Sequence, residues 1–365
     1  MTYIVGNRSF NNKIDAIVEA NKTLADIQWH FHDDIFNNLD WTIEPSLSLE
    51  VLYKQRAEQI RSKYDYLVIF FSGGSDSVNV LETFLKHNIH IDEVIVTHPT
   101  SGLTNHIPNN TDLSAKNNIS EFTFTTKPYL NDLSIKYPKL KITILDYFPN
   151  ILKYKSMEWL VESTDWIHPC QVAKFKINHH LDNELDKGSV GFVYAIDKPR
   201  LFKWNKTNNY YNVFPDFILN GAIRPVDHPN ANIELFYITP DMPELIVKAA
   251  HTVLNTLSEN TRLNEVMNLE AEDKPESYFT LIQSEVIPYI YPSIKKIPFQ
   301  TCKGYSRFMV DSDDWFYTLH KDTPVYNMII NDYYTFLDSI NEKYLHQHND
   351  KLIGFKPYHK LFKLR

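Results

Sequence analysis

Residues 66–86 read YLVIFFSGGSDSVNVLETFLK, and the order of residue types in this stretch decides the fold class. Residues 66–71 are a continuous apolar run of strand length, which is typical of a parallel strand buried on both faces. After the SGGSDS turn, apolar residues recur at helical spacing over 78–85. A second apolar run follows at residues 93–97. The sequence therefore predicts a βαβ unit, in which a glycine-rich turn joins a strand to a crossover helix.

Apolar patterns along the rest of the chain extend this prediction. Further strands are expected at residues 141–146, 191–196 and 233–238, with a β-hairpin at 200–214. Helical spacing is found at residues 11–27, 48–63, 124–137 and 151–164, and over most of the chain after a soft boundary near 240. We therefore expect a doubly wound, Rossmann-like α/β fold with a mostly parallel sheet and a helical C-terminal region.

Glycine is scarce in this chain, which makes its placement informative. Nine of the 365 residues are glycine, whereas an average composition of roughly 7% gives more than twenty. Two of the nine stand side by side, as Gly73 and Gly74. We infer that the backbone there needs conformational freedom or the close approach of a ligand.

The turn at residues 72–77 has the composition of an anion site. The amides of residues 74–77 are expected to be free donors at the start of a helix, with the positive end of the helix dipole behind them. Three serine hydroxyls add further donors. The carboxylate of Asp76 would repel a phosphate unless a divalent cation bridges them, and Mg²⁺ prefers a carboxylate together with substrate oxygens. Asp76 is therefore a predicted magnesium ligand and catalytic residue.

The turn also carries a family resemblance. It is not a G-x-x-x-x-G-K-[ST] loop, because no lysine follows, and it is not G-x-G-x-x-G. It matches S-G-G-x-D-S and resembles the PP-loop ATP pyrophosphatase superfamily, which includes asparagine, GMP and NAD synthetases, tRNA thiolation and lysidine enzymes and phosphoadenosine phosphosulfate reductases. The resemblance covers roughly residues 60–200.

The resemblance implies an adenine nucleotide alpha hydrolase-like fold and a specific chemistry. The loop would hold the β,γ-pyrophosphate of ATP while a substrate attacks the α-phosphate, becomes adenylated and releases pyrophosphate. The residues that would bind the nucleotide are Ser72, Gly73, Gly74, Ser75, Asp76 and Ser77. The expected cofactors are ATP and Mg²⁺.

Residues that follow the other strands extend the predicted site, because ligands of open α/β sheets lie at the carboxyl ends of the strands. Lys198 and Arg200 follow the fourth strand and are predicted catalytic cations for phosphate charge, with an exposed turn as the alternative. Thr97 and His98 end the second strand and would border adenine and ribose, unless they form an ordinary strand end. Asp146 ends the third strand. It is expected to be a turn residue, a second magnesium ligand or a substrate contact.

The charge, the apolar runs and the cysteines of the chain indicate which cellular location and partners to expect. A net charge of −8 gives no overall attraction to nucleic acid or to an anionic membrane, and no apolar run approaches the ~18 residues of a membrane span. The two cysteines, Cys170 and Cys302, cannot build a disulfide framework or a zinc ribbon. A cytoplasmic protein without membrane contact is the expectation.

The accessory signatures of the best-known relatives are missing. The chain opens Met1-Thr2-Tyr3, without the early catalytic cysteine of glutamine-dependent asparagine synthetases. It has no CxxC pair of the kind found in some thiolation enzymes. Its last ten residues, KPYHKLFKLR, lack the Glu-Cys-Gly setting of phosphosulfate reductases.

These observations predict a chain in three parts: an N-terminal helical segment at 1–62, a nucleotide-binding domain at 63–240 and a mostly helical region at 241–365. The leading hypothesis is an ATP-dependent adenylating enzyme with a small-molecule substrate, which Lys303 or Arg307 would reach. A tRNA or other nucleic-acid substrate stays open, and the oligomeric state is not predicted. The alternatives are a sulfur-transfer enzyme related to phosphoadenosine phosphosulfate reductases, which needs a reactive thiol, and a non-catalytic nucleotide-binding module.

Overall fold

The computed structural model describes most of the chain. The described residues are 1–103, 118–162, 168–204, 207–220, 222–268, 278–294, 305–306, 309–310, 313–348 and 351–365. None of the helices formed by these residues combines the length and the apolar character that crossing a bilayer requires.

The N-terminal part combines a small antiparallel sheet with helices. Its elements are β1 (Thr2–Val5), β2 (Arg8–Phe10), α1 (Lys13–Thr23), β3 (Ile27–His30), α2 (Asp33–Phe36) and α3 (Leu49–Lys63). The strands pair in the order β2-β1-β3. The helices expected at residues 11–27 and 48–63 are present, but the sequence analysis missed the three strands. They are only three or four residues long, which is too short to show an alternating pattern.

The middle of the chain alternates strands and helices. Its elements are β4 (Tyr66–Phe70), α4 (Ser75–Lys86), β5 (Glu93–His98), α5 (Asn118–Glu121), α6 (Lys127–Lys136), β6 (Lys141–Asp146), α7 (Phe148–Ile151), α8 (Pro169–Lys174), α9 (Asp182–Lys187), β7 (Val190–Tyr194), β8 (Leu201–Trp204), β9 (Asn209–Pro215), α10 (Asp216–Leu219) and β10 (Ala231–Leu235). A π-helical segment, Phe122–Thr126, joins α5 to α6.

Five of these strands form the central sheet, and all of them run parallel in the order β10-β7-β4-β5-β6. Numbered along the chain and read from β6, this order is 3-2-1-4-5, as in doubly wound folds. Leu67 and Ile69 of β4 pack into the large core on one face, whereas Val68 and Phe70 pack into a second core on the other. The predicted doubly wound, Rossmann-like α/β fold is confirmed.

The order of the strands also fixes where a ligand crevice opens. The chain adds strands to one side of β4 and then to the other, so the order reverses between β4 and β7. In open α/β sheets the ligand lies outside the carboxyl ends of the strands at this reversal. The SGGSDS turn follows β4, and Lys198 follows β7. The fold therefore brings both to the same crevice.

One predicted helix is wrong. The helix expected at residues 151–164 is replaced by the end of α7 and a short 3-10 turn, Glu158–Glu162. Met157 interrupts the helical path with a φ of +66°. The carboxylate of Asp332 accepts a hydrogen bond from the Met157 amide at 2.8 Å, which holds this turn against the C-terminal region.

The C-terminal region is mostly helical, as predicted, but it also contains strands. Its elements are α11 (Pro243–Glu259), α12 (Thr261–Asn268), α13 (Tyr278–Ile290), β11 (Tyr305–Ser306), β12 (Met309–Val310), α14 (Asp314–Leu319), α15 (Pro324–Ser339), β13 (Leu345–His348), β14 (Lys351–Phe355) and β15 (His359–Lys363). β15 pairs with β9 and extends the β8–β9 hairpin. α13 packs on α11, and α11 packs on α3. This packing holds the end of α13 in place beside the central domain.

Candidate functional site

Gly73 is the residue on which the shape of the SGGSDS turn depends. Its φ is +85°, a left-handed conformation that glycine adopts without steric cost. A Cβ at this position would lie 2.4 Å from Oγ1 of Thr126. The Thr126 hydroxyl donates to the carbonyl of Ser72 at 2.5 Å. The conformational freedom is required, as predicted, whereas the group that approaches closely is the π-helical segment of the protein itself and not a ligand.

The hydroxyl of Ser77 organises the turn from within. It accepts hydrogen bonds from the amides of Ser72 and Gly73 at 3.3 and 3.2 Å, and it donates to the carbonyl of Gly74 at 3.0 Å. The hydroxyl of Ser72 accepts from the Gly74 amide at 3.3 Å. The Gly74 amide, predicted to be a free donor, therefore already has a partner.

The first turn of α4 retains unused donors. Gly74 is the N-cap and supplies no side-chain cap, and the first helical bond runs from the Val78 amide to the Gly74 carbonyl at 3.0 Å. The helix thus leaves the amides of residues 75–77 without an internal partner. The hydroxyl of Ser75 is buried and lacks a hydrogen-bond partner among the described residues. Such a buried hydroxyl costs about 1–3 kcal/mol, which a bound anion would relieve.

Lys198 is the predicted cation that the structure brings to this turn. Its Nζ lies 2.9 and 2.6 Å from the two carboxylate oxygens of Asp76, and 3.6 Å from Oδ1 of Asp197. Burial disfavours the charge on Lys198, but the carboxylates of Asp76 and Asp197 outweigh this effect and raise its pKa. The ammonium is therefore charged, and it lies beside the N-terminal turn of α4.

Arg200, the other predicted cation, has a different partner. Its guanidinium donates to Oδ2 of Asp197 from Nε at 3.1 Å and from Nη2 at 2.8 Å. Burial raises the pKa of Asp197, but Arg200 and Lys198 overcome this and hold it below its usual value. Arg200 thus balances the charge of Asp197, which leaves Lys198 to face Asp76.

Two tyrosines at this site were missed by the sequence analysis. The hydroxyl of Tyr291 donates to Oδ1 of Asp76, and that of Tyr237 donates to the backbone carbonyl of Asp76 at 2.7 Å. Both side chains are buried. The chain has 22 tyrosines, and neither of these two lies in a motif. No signal in the sequence distinguishes them, because only the fold brings them to α4.

The partners of Asp76 bear on its predicted magnesium role. A carboxylate has about four lone-pair positions, and hydrogen bonds from Lys198 and Tyr291 occupy three of them. The positive charge of Lys198 would also repel a divalent cation bound at Asp76. Among the described residues, no group of three or more His, Cys, Asp or Glu side chains is arranged to hold a metal. Asp76 is thus paired with the Lys198 ammonium, and its magnesium role stays a prediction.

A cleft opens beside the turn at the carboxyl ends of β4 and β5. It is lined in part by Ser72, Thr97 and His98, three of the predicted nucleotide-binding residues. The ring of His98 packs on Phe122, with 4.0 Å between centroids and 34° between planes. Burial lowers the pKa of His98 to about 4, so the imidazole is neutral at neutral pH. His98 and Phe122 thus give the cleft an aromatic face beside the α4 donors, while Glu121 and Lys174 add charged groups to its lining.

Asp146 lies at a turn, which is one of the three roles predicted for it. Its carboxylate accepts hydrogen bonds from the Ser101 amide at 3.0 Å and from the Phe148 amide at 3.1 Å. These bonds fix the chain as it leaves β6. Asp146 therefore stabilises the backbone beside the cleft.

The thiol of Cys170 does not suit a sulfur-transfer mechanism. Cys170 is fully buried, and burial together with the neighbouring Asp313 raises the pKa of the thiol. A nucleophilic cysteine needs the opposite environment, with exposure and nearby positive charge. Cys302, Lys303 and Arg307 lie outside the described residues.

The comparisons with known proteins add no relative from which a function could be transferred. Neither protein-family models, nor curated proteins, nor solved structures gave a match to this chain.

Proposed function

We propose that this chain is an ATP-dependent adenylating enzyme of the PP-loop type. The observation that carries the proposal is the first turn of α4 together with Lys198. The amides of residues 75–77 have no partner within the helix, and the buried Ser75 hydroxyl has none among the described residues. These groups lie at the reversal of strand order, where doubly wound folds bind their ligands.

The geometry supports one placement of the nucleotide. The β- and γ-phosphates would accept hydrogen bonds from the amides of residues 75–77 and from Ser75, with the α4 dipole behind them. The base would lie in the cleft against His98 and Phe122. The α-phosphate would then face the crevice, where a substrate can approach it.

In the proposed reaction, a nucleophilic oxygen of the substrate attacks the α-phosphorus. The bond from the α-phosphorus to the bridging oxygen breaks, and pyrophosphate leaves with the electron pair. Negative charge grows on the leaving group, so fixed donors and Lys198 would stabilise the transition state electrostatically. Magnesium would accompany ATP on its phosphate oxygens, and no step is assigned to a metal bound by Asp76.

The nature of the products tests this proposal. We would incubate the protein with Mg·ATP and fractionated cell extract, with Asp76→Asn as the control, and identify the products. AMP and pyrophosphate that form with one fraction, and much more slowly with the variant, are expected. Small-molecule and nucleic-acid fractions tested separately would tell a metabolite from a tRNA. ADP and phosphate would contradict the proposal, and ATP binding without turnover in any fraction would favour the non-catalytic binding module.

A further inference from the structure

Asp76 is held from two directions by groups far away in sequence. Lys198 approaches both of its carboxylate oxygens from the loop after β7, and the Tyr291 hydroxyl reaches Oδ1 from the end of α13. The side chain of Asp76 is 23% exposed and that of Lys198 is 8% exposed. The pair is therefore open to the crevice on the side of Asp76 and enclosed by protein on the side of Lys198.

The position of Tyr291 is itself fixed by its neighbours. Its amide donates to the Ile287 carbonyl at 2.9 Å, and the hydroxyl of Tyr53 donates to the preceding Ile290 carbonyl at 2.8 Å. The Tyr291 ring lies 5.5 Å from that of Tyr237, centroid to centroid. Burial and the charge of Asp76 raise the pKa of Tyr291, so its hydroxyl stays protonated and donates. Tyr291 is thus a rigid donor that selects one orientation of the carboxylate.

This orientation determines the position of the ammonium. A lysine side chain has four rotatable carbon–carbon bonds and binds a phosphate as a point charge, so it must be held in place to act reproducibly. A carboxylate that contacts Lys198 through both oxygens limits it to one position, provided that the carboxylate cannot rotate. The hydrogen bond from Tyr291 prevents that rotation.

We infer that Asp76 and Tyr291 are positioning residues, which together hold the Lys198 ammonium at the phosphate-binding turn. The inference rests on the proposed function, in which Lys198 meets the phosphates of ATP. It assigns to Asp76 a role that acts through Lys198, in place of direct metal binding. It also makes the C-terminal region part of the nucleotide site, because that region supplies Tyr291.

A double-mutant cycle on ATP affinity tests this assignment. ATP dissociation constants would be measured by calorimetry, in EDTA and over a range of Mg²⁺ concentrations, for Asp76→Asn, Tyr291→Phe and Lys198→Met, and for the first two combined with Lys198→Met. We expect Asp76→Asn and Tyr291→Phe each to weaken binding about tenfold alone and by less than about twofold when Lys198 is already replaced. The Mg²⁺ concentration for half-maximal binding should stay the same in Asp76→Asn.

Tyr194→Phe is the matched control. It removes another buried tyrosine hydroxyl, which donates to the Ile223 carbonyl at 2.6 Å on the strand that precedes Lys198. We expect a loss of stability in this variant and an unchanged ATP affinity. If Tyr291→Phe fails to fold, the Asp76→Asn and Lys198→Met pair completes the cycle without it.

A second measurement follows Lys198 without any nucleotide. The rate at which an acylating reagent labels Lys198, read by mass spectrometry, should rise in Asp76→Asn and Tyr291→Phe, because the amine is held less firmly. In Asp76→Asn it should rise further, because the charged form of the amine is less favoured without the carboxylate. Unchanged labelling would overturn the inference. Losses of ATP affinity that add independently, or a raised Mg²⁺ requirement in Asp76→Asn, would overturn it too and restore the metal role. If the unaltered chain does not bind ATP at all, the proposed function fails and this inference fails with it.

Discussion

The two ends of the central sheet both carry buried charge, yet they differ in how that charge is used. At the amino end, Glu93 begins β5 and is fully buried. One of its oxygens accepts from Thr143 and from His180 at 2.7 Å, and the other accepts from Tyr66 at 3.0 Å and from Lys141 at 2.9 Å. Its hydrogen-bonding capacity is fully used.

At the carboxyl end of the sheet, part of the hydrogen-bonding capacity remains unused. Asp76 and Lys198 satisfy each other, but the buried hydroxyl of Ser75 has no hydrogen-bond partner among the described residues, and the amides of residues 75–77 have no partner within α4. A cleft lies next to them. The comparison teaches that a buried charge cluster alone does not mark a binding site. Donors left over after the protein has satisfied its own groups are the better sign.

The largest expected effect is a loss of ATP turnover, which should follow a change at the carboxyl end of the sheet and not one at the amino end. Lys198→Met should reduce ATP turnover about 10²–10³-fold, because it removes a fixed charge from the transition state. Lys141→Met removes a lysine that pairs with the buried Glu93 at the amino end of the sheet, and it should leave turnover close to that of the unaltered protein. Steady-state kinetics on both variants checks this. Equal losses would mean that the charge of the whole domain, and not its position, matters.

A substitution at the amino end of the sheet should have the opposite result, with a loss of stability and no loss of ATP binding. Glu93→Gln should lower the free energy of unfolding by about 3 kcal/mol, because it breaks a buried ionic network by removing one member. Urea denaturation measures this loss. The folded variant should bind ATP as tightly as the unaltered protein, since Glu93 lies at the end of the sheet away from the turn. A weakened ATP affinity would show that the two ends are coupled.

A pair of glycine variants examines the turn itself. Gly73→Ala should cost about 3 kcal/mol of stability, since a left-handed backbone disfavours a side chain and the new Cβ would collide with Thr126. Gly6→Ala is matched to it, because Gly6 also has a positive φ, +59°, but open space around its Cβ position; about 1 kcal/mol is expected. Thermal unfolding of both gives the difference. Similar losses would show that the contact with Thr126 is unimportant.

The smallest expected effect is a dependence on pH at the carboxyl end. The pKa of His98 falls from 6.5 to about 4 through burial. Between these values the unfolded chain binds the proton and the folded chain does not, so stability falls as the pH falls from 6.5 to 4. His98→Gln should make this fall less steep in urea denaturation between pH 7 and 5. His90→Gln, at an exposed position before β5, is the control; an equal change in both variants would contradict the assignment.

The sequence predicted the parts of this architecture that depend on local patterns. The apolar run of β4, the glycine pair and the helical spacing of α4 lie within 21 consecutive residues, and each has a direct physical cause. Lys198 was predicted because it follows a strand, and ligands of open α/β sheets lie at the carboxyl ends of the strands. Tyr291 and Thr126 were not found, because they reach the turn through tertiary packing that no short stretch encodes. The hairpin at residues 200–214 was predicted, but its pairing with β15 was not, for the same reason.

The hydrogen bond between Tyr291 and Asp76 also has a consequence for biosynthesis. The two residues are separated by 215 positions. At a translation rate of about 5–20 residues per second, the ribosome makes the turn roughly 10 to 40 s before it makes Tyr291. Under the inference above, a nascent chain exposes a phosphate-binding turn whose lysine is still unrestrained. The full affinity for the nucleotide is then reached only after α13 has emerged and docked.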